Sequence, residues 1–146
     1  MRGRTYGVIL SILAGLFLAR VAGQALVALL DLRWLPPMAE WYSGLLPYPL
    51  LLPVQLAILL AQGRISLDLL RGHGAFVRPG RPTGHVLLVL GLLYLAGMLL
   101  RYALTMTWYP ERRWLGTGTI PTAFHVVLAL YVLTLARFYL GREAGR

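Results

Sequence analysis

Arg20 makes the strongest chemical demand in the chain, because it stands near the middle of an apolar run from Tyr6 to Leu30. A guanidinium at the centre of a bilayer costs at least ~2.5 kcal/mol on insertion scales. Its side chain leans toward the N-terminus of its own helix, and headgroups on that side lie more than about 20 Å away at 1.5 Å per residue, too far for snorkelling. It therefore needs polar company inside the membrane. Gln24 follows one turn later on the same face, and Gln55, Tyr94, Tyr131 and Thr134 fall at similar depth in other apolar runs. None of these is acidic. Two readings stand: amide, phenol and carbonyl oxygens with water satisfy the guanidinium, or an anionic ligand does. Under the second, Arg20, Gln24 and Gln55 line the path of a small anion or amphiphile.

A second group gathers nearer the membrane surface. Arg101 and Thr105 lie one turn apart, His125 comes about one turn into the last apolar run, and Glu111, Arg112 and Arg113 lie between them. A carboxylate, guanidinium and imidazole converging under an aromatic rim suit headgroup binding or general acid and base chemistry, with Arg101, Glu111, Arg113 and His125 as the acting side chains. The plainer alternative is an ion pair of Glu111 with Arg101 or Arg113 that pins a loop, with His125 bonded to a backbone carbonyl.

Four apolar stretches must position these groups: Tyr6–Leu30, Leu45–Gln62, Val86–Met106 and Ile120–Leu140. A hydrocarbon core of about 30 Å needs roughly 20 helical residues, and backbone in lipid must satisfy its own hydrogen bonds. The expectation is an all-α integral membrane protein, a single domain over residues 1–146 whose four transmembrane helices form an antiparallel up-down bundle. With 58% hydrophobic and only 13% charged residues, the composition lies far from that of a soluble domain. The first run is too long for a signal-peptide h-region and no clear small-x-small site follows it, so it reads as a retained helix.

The arginines set an orientation. Arg2, Arg4, Arg64, Arg71, Arg78, Arg81, Arg137, Arg142 and Arg146 fall on one side of such a bundle, against Arg33, Arg112 and Arg113 on the other, where Asp31, Glu40 and Glu111 also lie. The positive-inside rule then places both termini in the cytoplasm. Trp34, Trp41, Tyr42, Trp108, Tyr109 and Trp114 flank the outer connections and read as interfacial anchors. Brevity and an Arg-rich composition suggest a bacterial inner membrane. The net charge of +9 is spread over tails and loops rather than striped, so anionic lipid headgroups are the expected partner and nucleic acid is not.

The connections carry their own signals. Pro36, Pro37, Pro47, Pro49 and Pro53 crowd the first, which predicts regular helix from near Pro53 and a bent or re-entrant entry over Tyr48–Leu52. Ile65–Leu70 either continues the second helix or lies at the interface. Pro121 suits the first turn of the last helix, with Thr119 or Gly118 as its cap.

Along the first helix, Gly7, Ser11, Gly15, Ala19 and Gly23 place a small residue at every fourth position. Such a groove lets another backbone approach, from the same chain or from a second one. No reaction motif accompanies it. The glycines form no nucleotide-binding fingerprint. The absence of cysteine excludes disulfides and thiolate chemistry, and His85 and His125 fall near opposite faces of the bundle, so neither metal nor cofactor is expected. The primary functional expectation is a non-catalytic subunit or homo-oligomer with a polar interior, alone or within a larger membrane complex. The two alternatives are an outer-leaflet lipid- or amphiphile-binding protein or enzyme built on the Arg101 cluster, and a small anion or amphiphile transporter built on Arg20.

Overall fold

The computed structural model describes residues 2–30, 32, 34–41, 47–109 and 119–141, with the side chains of Arg2 and Thr119 left aside. The described elements are all helical: α1 (Arg2–Leu30), α2 (Met38–Trp41), α3 (Tyr48–Arg71), a 3₁₀ turn at Ala75–Val77, α4 (Arg81–Trp108) and α5 (Thr119–Gly141). Four of them, all but α2 and the 3₁₀ turn, are long and apolar enough to cross a membrane. This is an integral membrane architecture, and its surface agrees: Val86, Val89, Leu90, Leu92 and Leu93 of α4 are each more than half exposed. In water such a face would be a liability; in lipid it is the normal state.

Two boundaries differ from expectation. Tyr48–Leu52 is regular helix rather than a bent entry, because Pro49 occupies the first turn, where a missing amide costs nothing. Pro53 sits inside the helix but close to its start. At the other end α3 runs through Ile65–Leu70 to Arg71, well past Gln62, and stops where Gly72 adopts φ 74° and returns its N–H to the Leu69 carbonyl at 3.3 Å.

Packing is uneven. Leu10, Leu69, Tyr131, Leu135, Phe138 and Tyr139 form the buried core, drawn from the first half of α1, the last turns of α3 and the second half of α5. The 3₁₀ turn is tied across this core: the Phe76 N–H donates to Asp68 Oδ2 at 3.3 Å, and the Tyr139 hydroxyl donates to the Phe76 carbonyl at 2.8 Å. Asp68 is almost wholly buried and its other oxygen lies 3.4 Å from Arg64 Nε. Helix α1 packs on α3 and α5, and α5 packs on α4, yet no backbone contact joins α3 to α5 or to α4. That gap positions the site.

Two glycines of α4 explain how closely it lies on α5. A Cβ at Gly84 would fall 2.9 Å from Leu140 Cγ, and one at Gly91 would fall 2.8 Å from Leu133 Cδ2. Neither position has room for a side chain, so the seven-residue spacing is a packing stripe.

Candidate functional site

A short helix, α2, supplies the hub of the polar cluster. Trp41, at its end, is buried against α1: a Cβ at Gly23 would meet its ring at 2.6 Å, and its Nε1–H donates to the Pro36 carbonyl at 2.9 Å. Its position departs from the interfacial-anchor reading, whereas Trp34 and Trp108 are largely exposed. With its ring held, the Trp41 carbonyl points back at α1. It accepts from Arg20 at 2.9 Å and from the Gln24 amide nitrogen at 3.3 Å.

That carbonyl fixes the polarity of everything beyond it. A carbonyl only accepts, so Gln24 must present its NH₂ there and its Oε1 to the next partner. The Gln55 amide nitrogen takes that oxygen at 3.1 Å. The relay therefore ends on Gln55 Oε1, an acceptor, which is buried and has no partner among the described residues. Arg20 Nε is likewise buried and unpaired. Arg20 is 7%, Gln24 0% and Gln55 4% exposed, so solvent does not serve these atoms from outside. Tyr48, whose hydroxyl is also unpaired, lies within electrostatic reach of Arg20.

Arg20 and Gln55 line a cavity of about 220 Å³. Phe17 of α1, Leu51, Val54 and Ile58 of α3, Tyr94 of α4, and Pro121, Phe124, His125 and Leu128 of α5 complete the wall. It lies between α3 and α5 with α1 as its floor and Tyr94 reaching in from α4, and Val54 is about half exposed at its edge. Across it from Arg20, the Tyr94 hydroxyl is hydrogen-bonded to His125 Nδ1. When Tyr94 is the donor, Nε2 carries the ring proton and His125 offers a donor of its own. The wall is otherwise hydrocarbon, with the side chains of Arg20 and Gln55 and a phenol–imidazole pair as its polar features. Such a lining fits a ligand that is mostly apolar with one polar end.

The sequence-predicted residues sort as follows. Arg20, Gln24 and Gln55 are joined in one relay, and Tyr94 and His125 face the same cavity as Arg20. His125 bonds a phenol rather than a backbone carbonyl. Arg101 is exposed and off the cavity wall. Thr105 turns inward to its own helix, donating to the Arg101 carbonyl at 2.9 Å. Glu111, Arg112 and Arg113 lie outside the described residues. Tyr131 and Thr134 do not line the cavity; the Tyr131 hydroxyl instead donates to the Gln62 carbonyl at 2.8 Å and sits 3.2 Å from Ser66 Oγ.

The small residues of α1 separate into two kinds. Gly7 admits the backbone of Leu70 and Gly23 admits Trp41, both within the chain. Ser11 returns its hydroxyl to the Gly7 carbonyl at 2.8 Å. Gly15 and Ala19 are exposed, and a Cβ at Gly15 would meet nothing within 4 Å.

Comparison of the chain with protein-family models, with curated proteins and with solved structures finds no match.

Proposed function

We propose that this protein is an intramembrane binding protein for an amphiphile with an anionic head, held by Arg20 and Gln55 in the cavity between α3 and α5. The observation that carries the reading is a pair of buried, unpartnered atoms of opposite hydrogen-bonding sense, Arg20 Nε and Gln55 Oε1, on two side chains that line one largely apolar cavity. A buried guanidinium with no carboxylate beside it is expensive, and among the described residues the ion pair within 4.0 Å is Arg64 with Asp68, elsewhere in the fold. An anionic ligand resolves both the charge and the orphaned donor.

In this reading the four long helices run up and down, with both termini in the cytoplasm of a bacterial cell. The register of Gly84 on Leu140 and Gly91 on Leu133, and of Gly7 on Leu70, supports the alternation, and the arginine excess on one side supports the orientation. Gln55 then lies about 10 Å and His125 about 9 Å below the outer ends of their helices at 1.5 Å per residue. An amphiphile from the outer leaflet reaches that depth by sliding its head between α3 and α5 while its chain stays in lipid.

Native mass spectrometry of the protein gently extracted from its own membrane tests this. The expected spectrum carries one anionic amphiphile per chain, absent from Val54→Trp, which fills the mouth of the cavity from a half-exposed position. A bare wild-type chain, or adducts equal in both proteins, contradicts the reading.

A subunit or homo-oligomer role is favoured by a separate observation, the open surface around Gly15 and Ala19. Under that reading Gly15→Leu reduces oligomer size in bilayers; unchanged size counts against it.

A further inference from the structure

We infer that the head the cavity takes is a phosphomonoester in its monoanionic form, on a single alkyl or isoprenoid chain. This rests on the amphiphile reading above and narrows it to one chemical class.

The relay from the Trp41 carbonyl forces Gln55 to end in an acceptor; because Gln55 Oε1 and Arg20 Nε are sealed at rest, the head must turn both side chains toward the cavity and bring a donor to Gln55. Arg20 Nε–H is a charged donor, so the same ligand must bring an acceptor, best an anionic one. One guanidinium lies on the wall, which matches one negative charge rather than two. A carboxylate has the charge but no donor when ionised. A phosphodiester has one charge and no hydroxyl on phosphorus. A fatty alcohol has the donor but no charge. The monoanion of a phosphomonoester carries both: an ionised oxygen for Arg20 Nε–H and a P–OH for Gln55 Oε1. Its second ionisation falls near pH 6, so the singly charged form is accessible without extreme conditions. The remaining phosphoryl oxygen can accept from His125 Nε2–H.

Size agrees. A 150 Å³ apolar cavity holds benzene, so by proportion about 220 Å³ holds a phosphate head and its first few methylenes. A diacyl glycerol backbone does not fit. The rest of a single chain leaves past Val54, where no backbone contact closes α3 on α5.

The test is a binding titration of the full chain in neutral phosphatidylcholine nanodiscs with four probes sharing one chain: hexadecyl phosphate, its methyl diester, palmitate and hexadecanol. Hexadecyl phosphate is expected to bind most tightly, about tenfold better than the diester, the worth of one buried hydrogen bond. In Gln55→Leu that preference should shrink to within about twofold, because the acceptor is gone. Arg20→Gln should weaken hexadecyl phosphate by about 10- to 100-fold. Because Arg20 also holds Trp41, Val54→Trp serves as the variant that blocks the cavity while leaving the relay intact, and it should abolish saturable binding of every probe. If the diester or palmitate binds as well as hexadecyl phosphate, and Val54→Trp still abolishes binding, the monoester inference is overturned and the amphiphile site stands. If no probe binds saturably to the wild type, or Val54→Trp changes nothing, both fall.

Discussion

Gly23→Ala is a one-carbon change with a large expected effect. The new Cβ would lie 2.6, 3.0 and 3.4 Å from three carbons of the Trp41 ring, against an optimal separation of about 3.5–4.0 Å. The ring must retreat by about 1 Å, and it is not free to do so, because Nε1–H is bonded to the Pro36 carbonyl at 2.9 Å. Overpacking of this kind costs about 1–3 kcal/mol. Moving Trp41 also draws its carbonyl away from Arg20 and Gln24, weakening a charge-assisted bond worth about 1.5–3 kcal/mol. Better helix propensity returns up to about 1 kcal/mol. The net expectation is a loss of about 2 kcal/mol. Gly15→Ala, on the same helix, makes no contact within 4 Å and should gain up to about 1 kcal/mol. The two identical substitutions thus differ by about 3 kcal/mol, a gap that intrinsic propensity cancels out of. Unfolding by added dodecyl sulfate from neutral mixed micelles, followed by far-ultraviolet helicity, measures it. If Gly23→Ala proves as stable as Gly15→Ala, the Trp41 clamp as described is wrong.

Other positions yield parallel tests. Gly91→Ala should cost about 1–3 kcal/mol by forcing α4 off Leu133, while Gly97→Ala, with nothing within 4 Å, should cost none; the same micellar unfolding assay compares them. Gly74 holds φ 128° directly against the Asp68 carboxylate, so Gly74→Ala should release the 72–77 loop and raise its amide hydrogen exchange. Tyr131→Phe strips a buried bond to the Gln62 carbonyl and a neighbour from Ser66, with an expected loss of about 1–3 kcal/mol in unfolding.

Much of the architecture is legible in the chain because lipid leaves the backbone so little choice. Four apolar runs of membrane length become four helices, and the boundary errors fall where proline and glycine act. Five prolines near Tyr48 read as irregular, but a proline in the first turn is harmless, and that is where Pro49 lies. The extension of α3 to Arg71 is marked by Gly72, a left-handed stop that the polar residues after Gln62 obscure. The polar pairing of Arg20 with Gln24 and Gln55 follows from depth alone. The hub does not: a main-chain carbonyl at Trp41 has no side-chain signature, and a tryptophan beside an outer connection looks like an anchor. His125 meets Tyr94 on the cavity wall because α4 lies flush on α5. The cause is visible in hindsight as Gly84 and Gly91, seven residues apart, a quieter stripe than the one on α1.

The cavity itself can be read directly with a diazirine-bearing hexadecyl phosphate, photolysed on the full chain in nanodiscs and mapped by peptide mass spectrometry. Adducts confined to Leu51–Ile58 and Phe124–Leu128, and erased by excess unlabelled hexadecyl phosphate, are the predicted result. Adducts scattered over the lipid-facing leucines of α4, such as Leu92 and Leu93, with no competition, would contradict an amphiphile site between α3 and α5.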